Sequence, residues 1–513
     1  MSILSLILLF PFLAALALLA VPREYRFVIR LTALGATLAS LLLAVVMFVR
    51  FDAGAVGCQF VQKIPWVTSL GISLHFGVDG LNVGLILMGT IVAFAAACLS
   101  KTIVTWEKEF YILLLVMSGG ILAAFASLDL FFFYFFHELA LVPTFIMIGV
   151  WGHGPRKNYA TFQITLYLSL GALIALLGLI ALYLQSGAKT FDILELTQYV
   201  QSHPLSTSAQ KVIFPLLLFG FGILVSLWPF HTWAPLGYGS APAPTAMLHA
   251  GVLKKFGVYG LIRIALPLLP EGARAWLPVL AVLCLGNILY CGWVAMRQRD
   301  LNLLIGNSSV AHVGFIFLGI ASLSLIGITG AVVIMIAHGL LAALSFGLSG
   351  ALRQQTGTLE MSEMGGLLRR MPFVGTALIM AMFAGCGLPG FANFPGELLV
   401  LFGAWKTLKV FVVVAAWGGL IVGAVYMLRA IRTMFHGPLP ERWAQVSDVS
   451  NAWRRTPFVL LLGALLLFGF WPPLLTEKIE PAARQIVAQA GGNLGEARPA
   501  ASPVKPAATK ESK

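Results

Sequence analysis

Charge is scarce in this sequence. Asp, Glu, Lys and Arg together make up 10% of the 513 residues, whereas soluble domains carry about 25%. Hydrophobic residues make up 59%. This balance excludes an ordinary soluble domain and predicts an all-α polytopic membrane protein. The net charge of +13 does not indicate nucleic-acid binding, because basic residues in short loops orient a membrane chain and contact lipid head groups.

Motifs of bond-forming chemistry are also missing. The sequence has no GxGxxG before a helix, no P-loop and no Ser/His/Asp arrangement. Its five cysteines form neither a CxxC motif nor a Cys/His cluster, so we expect no metal site and no disulfide. The first apolar run, residues 2–21, lacks a basic start and a cleavage site, so we expect a retained span. We predict no catalytic residue and no cofactor in this chain.

Long apolar runs, in contrast, are plentiful. A spanning helix needs about 20 apolar residues, and about fourteen runs qualify. They are roughly residues 3–21, 27–49, 79–99, 110–127, 129–151, 162–184, 212–230, 243–268, 276–296, 303–323, 327–352, 373–403, 409–434 and 456–475. Lys and Arg concentrate in the loops after odd-numbered spans. The positive-inside rule therefore predicts that both termini lie on the outer face of what we expect to be a bacterial inner membrane.

Two spans contain stretches that cannot continue as helix. These are "WPFHTWAPLGYGSAPAP" in the seventh span and "GCGLPGFANFPGE" in the twelfth, both rich in Gly and Pro. Irregular backbone at membrane depth survives only where protein buries it or water reaches it. The two breaks lie five spans apart, which predicts two inverted five-helix repeats and an ion pathway between them.

The predicted domains follow from this division. Residues 1–109 form spans 1–3, residues 110–268 the first repeat (spans 4–8) and residues 276–434 the second (spans 9–13). Residues 435–479 form a loop and the last span. Residues 480–513 are predicted to be a disordered basic tail.

Ionisable side chains inside the spans are few, and each is a candidate for proton translocation. A charge at the bilayer centre costs roughly 2.5–3.5 kcal/mol, so such a group is paired or used. "FFFYFFHELALVP", residues 131–143, places Glu138 within an aromatic run. The candidates are His137, Glu138, His231, His249, Lys254, Lys255, His312, His338 and Glu397. A static ion pair at Glu138 and hydrogen-bonded core histidines are the competing explanations. Lys254 and Lys255 diverge by about 100° on a helix, so only one can face a shared axis.

Several motifs resemble those of the proton-pumping membrane subunits of respiratory complex I, NADH-quinone oxidoreductase. They are "FFHELALVPTFIMIGVWG", "APTAMLHAGVLKKFGVYGLIR", "SSVAHVGF", "MIAHGL" and "GLPGFANFPGELLVLFG". The resemblance covers about residues 75 to 440, and the last motif is most similar to the subunit M (chain 4) type, an antiporter-like family related to Mrp. It implies fourteen helices, two inverted five-helix repeats and broken helices seven and twelve.

The resemblance also implies roles for residues. Glu138 matches the key glutamate of helix five, and Lys255 matches the central lysine of helix eight. His312 and His338 match the histidines of the connecting polar axis, and Glu397 matches the terminal glutamate of helix twelve. NADH, FMN, iron–sulfur clusters and quinone are expected in partner subunits. The expected partners are the L-type and N-type antiporter-like subunits and membrane lipids.

The first half departs from the family pattern. A helix-seven lysine is replaced by Leu224, "WLPDAH" reads "WAPLGY", and a lysine after helix five is Gln163. "DIKRLIAYSS" reads "DLNLLIGNSS", with Asn302 and Asn307. His137 and Lys254, in contrast, are additions. The partner of Glu138 is then His137, His231 or Lys254, or this half no longer pumps.

The sequence therefore predicts a proton-translocating subunit of NADH-quinone oxidoreductase. Quinone reduction elsewhere in the complex would drive protons through the buried axis. One alternative is a subunit of an Mrp-type cation/proton antiporter or a membrane-bound hydrogenase, which share the fold. A second is a pump-like scaffold with a degenerate channel, for which the loss of the helix-seven lysine is the main evidence.

Overall fold

A computed structural model describes residues 2–55 and 57–495, and most of these residues lie in helices. In chain order the helices are α1 (Ile3–Ala20), α2 (Arg26–Arg50), α3 (Val83–Leu99), α4 (Glu107–Ala126), α5 (Leu130–Trp151), α6 (Lys157–Ser186), α7 (Ile193–Ser202), α8 (Thr207–Leu224), α9 (Trp233–Ser240), α10 (243–268), α11 (Pro270–Arg297), α12 (Leu301–Ala321), α13 (Leu325–Thr356), α14 (Pro372–Gly385), α15 (Asn393–Trp405), α16 (Lys409–Phe435), α17 (Ala452–Phe470) and α18 (Pro473–Gln489).

The predicted fold class is confirmed. Twelve helices of the described chain are long and apolar enough to cross a membrane. The other two predicted spans are α10, which contains two π-helical turns, and the interrupted pair α14 and α15. Helices α12 and α13, which carry His312 and His338, are buried along almost their whole length. The candidate proton-carrying groups of the second half therefore lie at the centre of the protein.

A β-hairpin between α2 and α3 was absent from the predicted all-helical fold. Strand β1 (Gln59–Val67) pairs antiparallel with β2 (Ile72–Val78), with Val67 opposite Ile72. The turn ends at Gly71, whose φ is +70°, and a Cβ there would lie 2.6 Å from Lys189 O. Strand β1 is largely exposed and lacks regular apolar/polar alternation, so its sequence carries little strand signal.

The disordered tail predicted from residue 480 is wrong for its first ten residues. Helix α18 continues to Gln489 because an apolar stripe at helical spacing buries Leu475, Ile479, Ala483 and Ile486 against the bundle. The prediction relied on composition and overlooked this periodicity. Residues 496–513 lie outside the described residues.

The loops separate into two faces. Loops after spans 3, 5, 9, 11 and 13 line one cavity of about 610 Å³, with Lys101, Arg353 and Arg454 on its wall. Loops after spans 2, 6 and 8 line another, of about 690 Å³, together with α18. One face therefore carries loops that follow odd-numbered spans, and the other carries loops that follow even-numbered spans. The basic residues counted in the odd-numbered loops share a face, as the charge argument requires.

Both predicted breaks are present. Helix α8 ends at Leu224 and α9 begins at Trp233, while α14 ends at Gly385 and α15 begins at Asn393. Asn287 of α11 supports the first break: its Oδ1 accepts from Trp228 N at 2.8 Å. Its Nδ2 donates to Ser226 O at 2.9 Å. A neighbouring helix therefore satisfies backbone groups that the interrupted helix leaves free.

Candidate functional site

Lys255 and His338 form the first contact of a buried polar row. Lys255 is fully buried, and its Nζ lies 2.8 Å from His338 Nδ1. Nζ also donates to Ala250 O at 2.5 Å. Ala250 belongs to the π-helical turn His249–Leu253, and π-helical turns inside helices are frequent at functional sites. The side chain is thus held by a carbonyl of its own helix and aimed at α13.

His312 and Glu397 continue the row toward the second break. The rings of His312 and His338 have centroids 5.6 Å apart. His312 Nε2 lies 3.9 Å from Glu397 Oε1, and both side chains are buried. The two ring nitrogens of His312 also face carbonyl oxygens, Ser308 O at 2.7 Å and Gly385 O at 3.0 Å. Only a doubly protonated ring donates to both, so the pocket can accommodate the charged form.

The second break makes room for the Glu397 carboxylate. Gly387 has φ +68°, and a Cβ at this position would overlap Glu397 Oε2. Glycine is the one residue that adopts this positive φ without strain and has no Cβ to contact the carboxylate. The Gly-rich sequence of the break therefore serves two purposes, because it ends α14 and lets the backbone approach a buried acid.

The two adjacent lysines have different surroundings. Lys254 Nζ donates to Ser309 Oγ at 3.4 Å and lies 5.7 Å from the centre of the Tyr238 ring. Lys255 instead contacts His338. Tyr238 also packs against His249, with ring centroids 5.4 Å apart. Lys254 and His249 therefore belong to a buried aromatic pocket beside the row.

In the first half, one basic side chain lies within 4 Å of the Glu138 carboxylate among the described residues. His137 Nδ1 lies 3.5 Å from Glu138 Oε1. The His137 side chain is buried, whereas 34% of the Glu138 side chain is exposed at the surface of this chain. Of the three predicted partners of Glu138, the structure brings only His137 to it. His231 lies in the first break, near the Tyr290 ring.

An aromatic cluster separates this pair from the lysines. The ring of Phe256 stacks on His137 at 3.9 Å and on Phe133 at 4.3 Å, and Phe221 packs against both phenylalanines. No hydrogen bond among the described residues connects His137 or Glu138 to Lys254 or Lys255. The first half therefore has a carboxylate close to one imidazole but not hydrogen-bonded to it, and no continuous polar route to the centre.

The search for ionisable groups in the spans missed a buried ion pair. Arg263 of α10 donates to both oxygens of Asp79, at 2.6 Å each, and its Nε donates to Tyr259 OH at 3.1 Å. The signal was present, because Arg263 lies inside predicted span 243–268 and Asp79 begins span 79–99. The pair borders the cavity of about 690 Å³.

We expect Asp79→Asn to destabilise the protein. The change leaves the Arg263 guanidinium buried without its counter-charge, which typically costs about 3–5 kcal/mol of folding free energy. Thermal unfolding of the purified complex and the yield of assembled protein measure this. Arg274→Gln is the matched control, because its ion pair with Glu271 is solvent-exposed. Equal stability of Asp79→Asn and wild type would show that the pair contributes nothing.

Comparison with known proteins gives one family. Residues 127–423 match the family described as NADH:quinone oxidoreductase/Mrp antiporter, transmembrane. An NAD(P)H-quinone oxidoreductase chain 4 of Synechococcus elongatus is 35% identical over 496 residues, covering 95% of this chain and 92% of that protein. The corresponding chain 4 of Gloeobacter violaceus is 33% identical over 495 residues, covering 94% and 92%.

Solved structures share the fold. A chain of respiratory complex I from Thermus thermophilus, with bound NADH, superposes with a TM-score of 0.87 at 29% identity, covering 95% of this chain and all of that one. A chain of the Mrp complex from Dietzia sp. gives a TM-score of 0.82 at 21% identity, covering 96% and 100%. The second likeness is one of fold alone.

Proposed function

Because the chain belongs to the NADH:quinone oxidoreductase/Mrp antiporter family of membrane subunits, we propose that it is the chain 4 type subunit of a proton-translocating NADH-quinone oxidoreductase. The relatives at 33–35% identity are oxidoreductase subunits that match this chain over nearly its whole length. The chain is a membrane subunit that works beside other antiporter-like subunits. The Mrp alternative is supported by the shared family description and by the fold, but the similar relatives named above are oxidoreductase subunits, so it is the weaker alternative.

The observation that carries the proposal is the buried row Lys255, His338, His312 and Glu397. These four groups lie on α10, α13, α12 and α15, and each can hold a proton. Intramembrane ionisable residues that converge from several helices are typical of proton relays. Burying each of these groups costs desolvation free energy, which a purely structural subunit has no reason to expend.

In the proposed mechanism, the neutral amine of Lys255 accepts a proton reaching the centre from the cytoplasmic face. The resulting ammonium passes the proton to His338 Nδ1, 2.8 Å away. The proton continues past His312 to the Glu397 carboxylate, which releases it toward the outer face. Quinone reduction in other subunits supplies the energy, and NADH, FMN, iron–sulfur clusters and quinone bind there.

The orientation is part of the proposal. The face lined by Lys101, Arg353 and Arg454 is cytoplasmic, following the positive-inside rule. Both termini then lie on the outer side. The scaffold reading retains one supporting observation in the first half, where Leu224 and the aromatic cluster interrupt the polar route.

Purification of the assembled complex through an affinity tag on this chain tests the assignment. We expect flavin and iron–sulfur clusters to co-purify in fixed proportion to the tagged chain, and the complex in vesicles to acidify the lumen on NADH addition. A control purification uses the same membranes without the tag. Recovery of cation/proton antiporter subunits without flavin would contradict the assignment.

A further inference from the structure

Asn393 is buried at the second break with no hydrogen-bond partner. It is the first residue of α15 and is completely buried. Neither its Oδ1 nor its Nδ2 is hydrogen-bonded within the part of the chain that the structure describes. An asparagine amide can donate two hydrogen bonds and accept two, and buried polar groups almost always have partners. This amide therefore requires a ligand that is small and can both donate and accept.

The packing of α13 against α15 shows which residues of α13 lie at the level of Asn393. A Cβ on Gly330 would lie 2.7 Å from Val400 N, and one on Gly396 would lie 3.1 Å from Ile334 N. Position 330 thus faces position 400, and position 334 faces position 396, so the helices run antiparallel. The next turn in this register places Asn393 opposite positions 337 and 338. The register therefore places Asn393 at the level of His338, one helical turn from Glu397 on its own helix.

The polar row has a gap at this point. His312 Nε2 is 3.9 Å from Glu397 Oε1, which is beyond direct hydrogen-bonding distance of about 2.7–3.2 Å. The rings of His338 and His312 are 5.6 Å apart between centroids. His338 uses Nδ1 for Lys255, and its Nε2 has no hydrogen bond to any described residue. A proton cannot cross these separations without an intermediate carrier.

We infer that Asn393 holds a buried water molecule between His338 and Glu397, and that this water carries the proton across the gap. The site offers the two to four polar partners that an ordered buried water needs. The Asn393 amide fixes the water. His338, on taking a proton at Nδ1, donates the proton of Nε2 to this water, and the water donates one of its own to the Glu397 carboxylate. Asn393 is thus a positioning residue, and the inference rests on the proposed function.

Asn393→Leu removes both amide contacts at nearly constant volume. We expect the rate of NADH-driven proton translocation to fall about tenfold, the upper end of what one neutral hydrogen bond contributes. Asn393→Ser should recover much of the rate, because the smaller hydroxyl leaves room for a second water. Thr329→Val is the matched control: its hydroxyl is also buried and unpaired on α13, but lies beyond the row.

Infrared difference spectroscopy of the assembled complex gives a readout that a merely structural role would not change. The carbonyl band of protonated Glu397, identified by its loss in Glu397→Gln, should shift in Asn393→Leu and not in Thr329→Val. An unshifted band overturns the inference, as does wild-type translocation in Asn393→Leu. Wild-type translocation in Glu397→Gln would instead refute the proposed function, so the two failures are distinguishable.

Discussion

Replacing Lys255 by methionine is expected to stop proton translocation through this subunit. Lys255 is the one residue of α10 with a hydrogen bond to His338 in the described structure, so its loss removes the proton donor at the start of the row. A positioned proton carrier typically contributes about 100-fold or more to a transfer step. Methionine keeps the length and apolar stem of lysine, which limits the effect on packing. Proton uptake by vesicles containing the assembled complex measures the change at matched expression.

Lys254→Met is the matched control for this result. Lys254 reaches Ser309 and the Tyr238 ring and makes no contact with His338 in the described structure. We therefore expect its replacement to reduce translocation far less than Lys255→Met. The reverse order, with Lys255→Met normal and Lys254→Met inactive, would mean that the wrong lysine has been assigned to the row.

Glu138→Gln is expected to abolish or strongly reduce coupled quinone reduction while the complex still assembles. Glu138 is the carboxylate of an aromatic run, and His137 is its ionisable neighbour at 3.5 Å. The substitution removes the charge and keeps the size of the side chain. Because an aromatic cluster separates this pair from Lys255, we expect the pair to act through its charge rather than by direct proton transfer. NADH-driven quinone reduction and the proton-to-electron ratio measure the effect.

His137→Gln should resemble Glu138→Gln, because it removes the imidazole that lies 3.5 Å from the carboxylate. His231→Gln serves as the control, since His231 lies near Tyr290 rather than near Glu138. Wild-type activity in both Glu138→Gln and His137→Gln would leave only the scaffold reading for the first half.

The breaks and the spans were predictable because their signals are local. Pro229 lies in the first break, and Gly387 and Gly390 adopt positive φ in the second, so residue types alone mark both breaks. Apolar runs of about 20 residues likewise identify spans without tertiary information. The angular divergence of Lys254 and Lys255 also follows from helix geometry alone. These features needed no knowledge of neighbouring helices.

The contacts of the site could not be predicted in this way. His338 meets Lys255 because α13 packs beside α10 in one register, and that register depends on glycines facing each other across helix pairs. The choice of His137 over His231 and Lys254 as the neighbour of Glu138 depends on where each helix places its side chains. The Asp79–Arg263 pair joins positions far apart in sequence, and neither residue alone indicates the other.

The central claim is that Lys255 and Glu397 belong to one proton pathway. The most direct test is the number of protons translocated per NADH by vesicles containing wild type, Lys255→Met, Glu397→Gln and the double variant. Residues that act as one unit give non-additive losses. The account predicts that the double variant loses no more than either single variant. Losses that add in the double variant would show two independent routes and contradict it.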